Sequence, residues 1–178
     1  MNRAQRRQKQ KPVRVINKAA AWQNIEGRIR LSETNPLTEQ QINDILVPAY
    51  QWLTNLQFGC MNVDQYVSMI EVNCAAFSLA ARIYGAATSD EAKQQIKRSE
   101  KAFNDAAEAL NNVGGRFGTT GKFGATGDEL NAVRESVDWY RELLPFATTG
   151  LAEQAVNRAR EMVNDELLKT ARKNGIIK

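Results

Sequence analysis

Small and apolar residues recur at Val63, Val67, Ile70, Cys74, Phe77, Ala81 and Tyr84, in alternating steps of four and three. That spacing lays side chains along one face of an α-helix. Asn62 stands where it can cap the start, Gln65 can reach back to it from three residues on, and Gly85 stands where the helix can close. Only Asp64, Glu71 and Arg82 are charged in this stretch, so the helix over residues 62–85 is expected to be buried on more than one side. Gln65, Ser68 and Asn73 interrupt the apolar run too often for a membrane span.

The same pattern predicts helices on either side. Before it, Thr38 with Gln41 forms a capping box and Leu37 with Ile42 a hydrophobic staple, opening a helix to about Phe58 with its stripe at Ile42, Ile45, Leu46, Ala49, Leu53 and Leu56. Pro48 inside that helix should kink it by removing one hydrogen bond. After it, Thr88 with Glu91 opens a helix to Val113, striped at Ala92, Ile96, Ser99, Phe103, Ala106, Leu110 and Val113. Joined to residues 62–85 by a few residues, it should pack antiparallel to them. Thr126 with Glu129 caps a fourth helix, with Leu130, Val133, Val137, Tyr140 and Leu144 inward and Pro145 ending it. A fifth starts at Thr149, carries Ala152, Ala155, Val156, Ala159, Met162, Val163 and Leu167 on one side, and ends at Asn174-Gly175. Residues 17–31 read as a further short helix with Trp22, Ile25 and Ile29 on one side and Gly27 weakening it. The expected fold is all-α: a single-domain antiparallel bundle of five main helices over residues 15–178.

Charge changes the picture at the N-terminus. The net charge is +4, but residues 1–14 hold Arg3, Arg6, Arg7, Lys9, Lys11 and Arg14 with no acid, so the body carries −2. This arm is too polar and charged to fold alone and is expected to be disordered. No apolar run follows it, so it reads as neither secretory signal nor anchor, and the expected compartment is cytoplasmic. Residues 32–92 are acidic, with Glu33, Glu39, Asp44, Asp64, Glu71, Asp90 and Glu91 against Arg82 alone. Cys60 and Cys74 are too few for a disulfide framework and read as ordinary thiols.

Residues 114–127 form an expected Gly-rich loop containing a repeat, Arg116-Phe117-Gly118-Thr119-Thr120-Gly121 then Lys122-Phe123-Gly124-Ala125-Thr126-Gly127. A nucleotide-binding P-loop is not met: Gly121-Lys122 is followed by Phe123, and Arg116 occupies the place of the first glycine. Two readings stay open. Arg116, Phe117, Lys122 and Phe123 form a basic-aromatic finger that stacks on bases and meets phosphates, or the two phenylalanines fold back and close the bundle. The arm likewise tracks a nucleic-acid backbone, keeps the chain soluble, or orders on a protein partner. No Gly-bearing turn interrupts residues 149–173, so a helix-turn-helix is not evident.

Enzyme chemistry is poorly supplied. The chain has no histidine, which removes the commonest general base and metal ligand, and two cysteines alone cannot build a zinc site. Asp128 with Glu129, Asp165 with Glu166, and Glu135 with Asp138 sit where caps and solvated helix faces explain them. The expectation is therefore no enzyme, no catalytic residue, no metal and no cofactor. Trp139 stands off the stripe of Val137 and Tyr140, and reads as a helix-packing or dimer contact.

The Arg-rich opening of residues 1–7, with Thr126-Gly127-Asp128-Glu129-Leu130-Asn131-Ala132-Val133-Arg134-Glu135 and Val137-Asp138, resembles small, mostly uncharacterised helical accessory proteins of bacteriophages and prophages, some labelled Fis-like. The resemblance covers about a third of the chain. It implies a phage origin, the host cytoplasm, and an accessory role; it carries over no catalytic residue. Two function classes follow: a protein that binds a host or phage protein or nucleoprotein complex, for example to inhibit a defence or nucleic-acid-processing machine, and a direct DNA- or RNA-binding protein using the arm and the finger.

Overall fold

The computed structural model describes residues 35–163 and 169. They form an all-α bundle: α1 Glu39–Gln57, α2 Val63–Ala86, α3 Asp90–Thr120, α4 Gly127–Leu143 and α5 Thr149–Met162, with a 3-10 turn Leu144–Phe146 before α5. Residues 1–34, including the basic arm and the short helix expected over 17–31, lie outside the described residues, as does the end of the last helix after Val163 apart from exposed Lys169.

Local chemistry sets the helix starts. Thr38 with Gln41, Asn62 with Gln65 and Thr126 with Glu129 each form a complete capping box, so two of the backbone donors left over at each N-terminus are satisfied reciprocally. The cap of α3 is Ser89 rather than the expected Thr88, and its hydroxyl accepts from Ala92 N at 3.2 Å. Buried Ala87, the extended C-cap of α2, is followed by two more residues before the chain turns into α3. Gly85 does not close α2, which runs one residue past it. Pro48 lies inside α1 and has no N–H to give the Asp44 carbonyl.

α2 is the hub, packing against all four other helices. Its buried line differs from the expected one: Tyr66, Met69, Ile70, Asn73, Ala76, Leu79, Ala80 and Ile83 are buried, while Val63, Val67, Cys74, Phe77 and Tyr84 are half-buried and Ala81 is exposed. With neighbours on several sides, burial follows contact rather than one apolar stripe. The α3 stripe from Ala92 to Val113 is buried at every expected position. In α5, Ala152, Ala155, Ala159 and Val163 face the core, but Met162 is exposed.

The directions follow from side-chain bonds between helices. Tyr66 Oη donates to Leu110 O at 2.9 Å and Asn73 Nδ2 to Phe103 O at 3.0 Å, seven residues on along α2 and seven back along α3, so the two are antiparallel. Tyr50 Oη donates to Asp138 Oδ1 at 2.7 Å, tying α1 to α4. The core divides in two along the bundle. One cluster gathers Leu46, Leu79, Ile83, Ile96, Phe103 and Tyr140; the other gathers Leu53, Tyr66, Met69, Leu110, Phe123 and Val133. Between them, Ser136 Oγ donates to Asn73 Oδ1 at 2.6 Å while the Asn73 amide holds Phe103 O, so these buried polar groups are satisfied. The β pairing among the described residues is one isolated antiparallel bridge, Pro36 with Thr148.

Candidate interaction surface

The Gly-rich segment is helical for half its length. α3 continues through Gly114, Gly115 and Gly118 to Thr120 and ends on Gly121, whose φ of 68° is the left-handed C-cap conformation that glycine takes at no steric cost. The loop expected over 114–127 thus shrinks to residues 121–126. Tertiary packing overrides the poor helix propensity of the glycines. Phe117 stacks on Phe123 with ring centroids 4.1 Å apart, and Phe123 stacks on Tyr66 at 4.5 Å, both at 17° between planes. Phe123 is 1% exposed and belongs to the core.

Arg116 fastens the same segment. Its guanidinium makes a bidentate pair with the Glu129 carboxylate and donates to Gly124 O at 2.8 Å. Glu129 also accepts from Thr126 N at 2.8 Å as part of the α4 capping box. The Arg116 hydrogen bonds hold the Glu129 carboxyl below its usual range; partial burial works the other way, and the Thr126 bonds reinforce Arg116. The finger residues are therefore brought together as a clasp joining the end of α3 to the start of α4. Arg116 is paired, Phe117 is half-buried, Phe123 is buried, and Lys122 faces solvent. This is the geometry of the bundle-closing alternative. Arg3, Arg6, Arg7, Lys9, Lys11 and Arg14 lie outside the described residues.

Trp139 is half-buried and packs against the cluster around Phe103 and Tyr140. The larger exposed apolar groups are elsewhere: Phe58 is 73% and Val47 52% exposed. Val47 stands on the outward side of α1 with Gln40, Asn43, Gln51 and Thr54, and Phe58 is the C-cap residue eleven positions on, about three helical turns away. From Glu39 to Phe58 the chain has no Lys or Arg and only Glu39 and Asp44 as acids. Amphipathic spacing marks the inward stripe of α1 and is silent about this outward side; the missing cations are the signal the sequence offers for it. A recess of about 290 Å³ lies beside Val47, lined by Gln40, Asn43, Asp44 and Pro48.

Cys60 is exposed, and Cys74 is half-buried, its thiol pKa raised by burial and then by Glu71. Among the described residues no group of three or more His, Cys, Asp or Glu is placed to hold a metal ion, and no helix is long and apolar enough to cross a membrane. Comparison of the chain with family models, curated proteins and solved structures finds no match, so its chemistry is read from its own residues.

Proposed function

We propose that this chain is a non-enzymatic accessory protein of the phage type that binds a host or phage macromolecular complex, in the manner of an inhibitor covering the surface of a defence or nucleic-acid-processing machine. The observation that carries this reading is the outward side of α1. It leaves Val47, and Phe58 at the C-cap eleven residues on, to solvent on a helix without a single Lys or Arg. Interface centres are depleted of charge and built around aromatic and aliphatic anchors; this side of α1 offers Val47 and Phe58 among uncharged Gln40, Asn43, Gln51 and Thr54. The resemblance of the N-terminus and α4 to phage accessory proteins supplies the class of partner.

The test is affinity purification of the full chain from phage-infected bacteria, with and without nuclease, beside Phe58→Glu and Val47→Glu. A partner that survives nuclease and falls by about tenfold or more with Phe58→Glu, at unchanged melting temperature, is the expected result. Equal recovery with all three proteins overturns the reading.

The second reading, direct binding of DNA or RNA, draws on the six cations of the arm. The clasp lends it little, because Arg116 is already committed to Glu129 and Phe123 is buried, which leaves Lys122 and the arm. A partner that disappears on nuclease treatment, with salt-sensitive retention on nucleic acid, favours it.

A further inference from the structure

α1 and α5 each pack on α2 and scarcely on one another. The antiparallel bridge of Pro36 with Thr148 holds their starts together, and beyond it a groove of about 450 Å³ runs between them. Leu37, Ile45, Ala152 and Val156 supply its apolar lining. Leu37, Ile45 and Val156 are half-buried, so the core covers one side of each and leaves the other to the groove. On α5 the lining falls at Ala152, Glu153, Val156 and Arg160, the spacing with which one helix meets another laid along it. From Thr149 to Arg160 that wall rises about 16 Å, or about three turns. The charge of the groove is one-sided. From Glu39 to Phe58 the chain has no Lys or Arg, so the α1 wall is anionic at Asp44, and Glu153 adds a second carboxylate from α5. Arg160 stands seven residues past Glu153, about 10 Å along the axis. No ion pair among the described residues engages Asp44, Glu153 or Arg160.

We propose that this groove is a docking site for a basic amphipathic helix of a partner protein, with aliphatic side chains one turn apart over the apolar lining and Lys or Arg beside Asp44 and Glu153. Both walls are helices, whose backbone groups are bonded within themselves. An extended peptide would find no strand edge on them to satisfy its own N–H and C=O groups, whereas a helix arrives with those groups already paired. Charge selects the sign of the partner. A basic helix meets two carboxylates; an acidic one meets the same two with a single guanidinium to offset them. The site goes beyond the Val47 and Phe58 surface, because the groove lies on the Ile45 side of Asp44 and the Val47 recess on the other.

Fluorescence anisotropy with the full chain tests this, using two synthetic peptides of about 14 residues that share one helical leucine pattern and carry Lys or Glu elsewhere. The Leu–Lys peptide should bind about tenfold more tightly than the Leu–Glu peptide, and Asp44→Lys with Glu153→Lys, both at exposed side chains, should reverse that preference. A scrambled Leu–Lys peptide, equal in charge but without an apolar face, should bind about tenfold more weakly than the patterned one. Amide shifts caused by the bound peptide should fall within residues 37–45 and 149–160, and Phe58→Glu should leave the affinity unchanged. Equal binding of the two patterned peptides, full affinity of the scrambled one, shifts centred outside those two stretches, loss of binding with Phe58→Glu, or no binding at all overturns the proposal. Phe58→Glu is silent at the groove and decisive for the outward side of α1, so the two sites fail separately.

Discussion

Replacing Phe123 by alanine removes a ring that is 1% exposed and stacked with both Tyr66 and Phe117. The variant should lose about 3 to 4 kcal/mol of stability in urea titration, whereas Phe117→Ala, at the half-buried end of the stack, should lose about 1 kcal/mol. Equal losses at the two sites would mean that the stack does not persist in solution. Glu129 answers to pH as well as to mutation. Because Arg116 lowers its folded pKa below the unfolded value of about 4.3, its contribution is complete above that value and is lost as pH falls through it to the depressed one. Glu129→Gln should therefore cost about 1 kcal/mol at pH 7, a modest figure because the Arg116 side chain is 41% exposed. The gap between parent and variant should begin to narrow as pH falls below about 4.3 and go on narrowing through the depressed folded value. A constant gap across an acid titration would show that the charge pair is not what the substitution removed.

At the scale of the element, α3 is a long helix whose last turns hold glycine where alanine would suit the backbone better. At Gly115 an added Cβ meets nothing within 4 Å, so Gly115→Ala should raise stability by about 0.5 to 1 kcal/mol. Gly121 also has room for a Cβ, but its φ is +68°, so Gly121→Ala should cost about 1 kcal/mol. Opposite signs at two uncrowded glycines would place the end of α3 at Gly121 in solution; a thermal melt of each variant decides it. These positions also mark what the sequence could reveal. The capping boxes at Thr38, Asn62 and Thr126 were legible because each is settled by residues three apart, and the α3 stripe was legible because that helix turns one side to the core. The extension of α3 was not, since it depends on Phe117 stacking on Phe123, which in turn stacks on Tyr66 more than fifty residues away. Nor was the buried face of α2, because four neighbouring helices choose which sides of it are covered. Of the candidate binding residues, the sequence identified those that cluster at Arg116 to Phe123 and offered both binding and bundle closure for the two phenylalanines, but not the Arg116–Glu129 pair that fastens them.

For the whole molecule, charge is divided by region: a cationic N-terminus, an acidic α1–α2 half, and a basic run of Lys93, Lys97, Arg98 and Lys101 on α3. Deleting residues 1–11 removes five positive charges and should leave the urea midpoint unchanged. If nucleic acid is the partner, affinity should fall and the slope of log affinity against log salt should become shallower, by up to about 0.9 for each duplex phosphate that the arm no longer neutralises. A slope that does not move would remove the arm from nucleic-acid binding. The two halves of the core meet at Asn73, Ser136 and the Phe103 carbonyl, and that junction governs how the bundle can deform. Apolar surfaces alone tolerate sliding, since one greasy turn fits nearly as well as the next. Directional bonds do not, because shifting α2 along α3 by a turn strands the Asn73 amide in a dry interior. The waist of the bundle therefore behaves as a keyed shaft, locked against axial slip, and any motion that binding imposes on this protein must be taken up as rotation or fraying at its two ends.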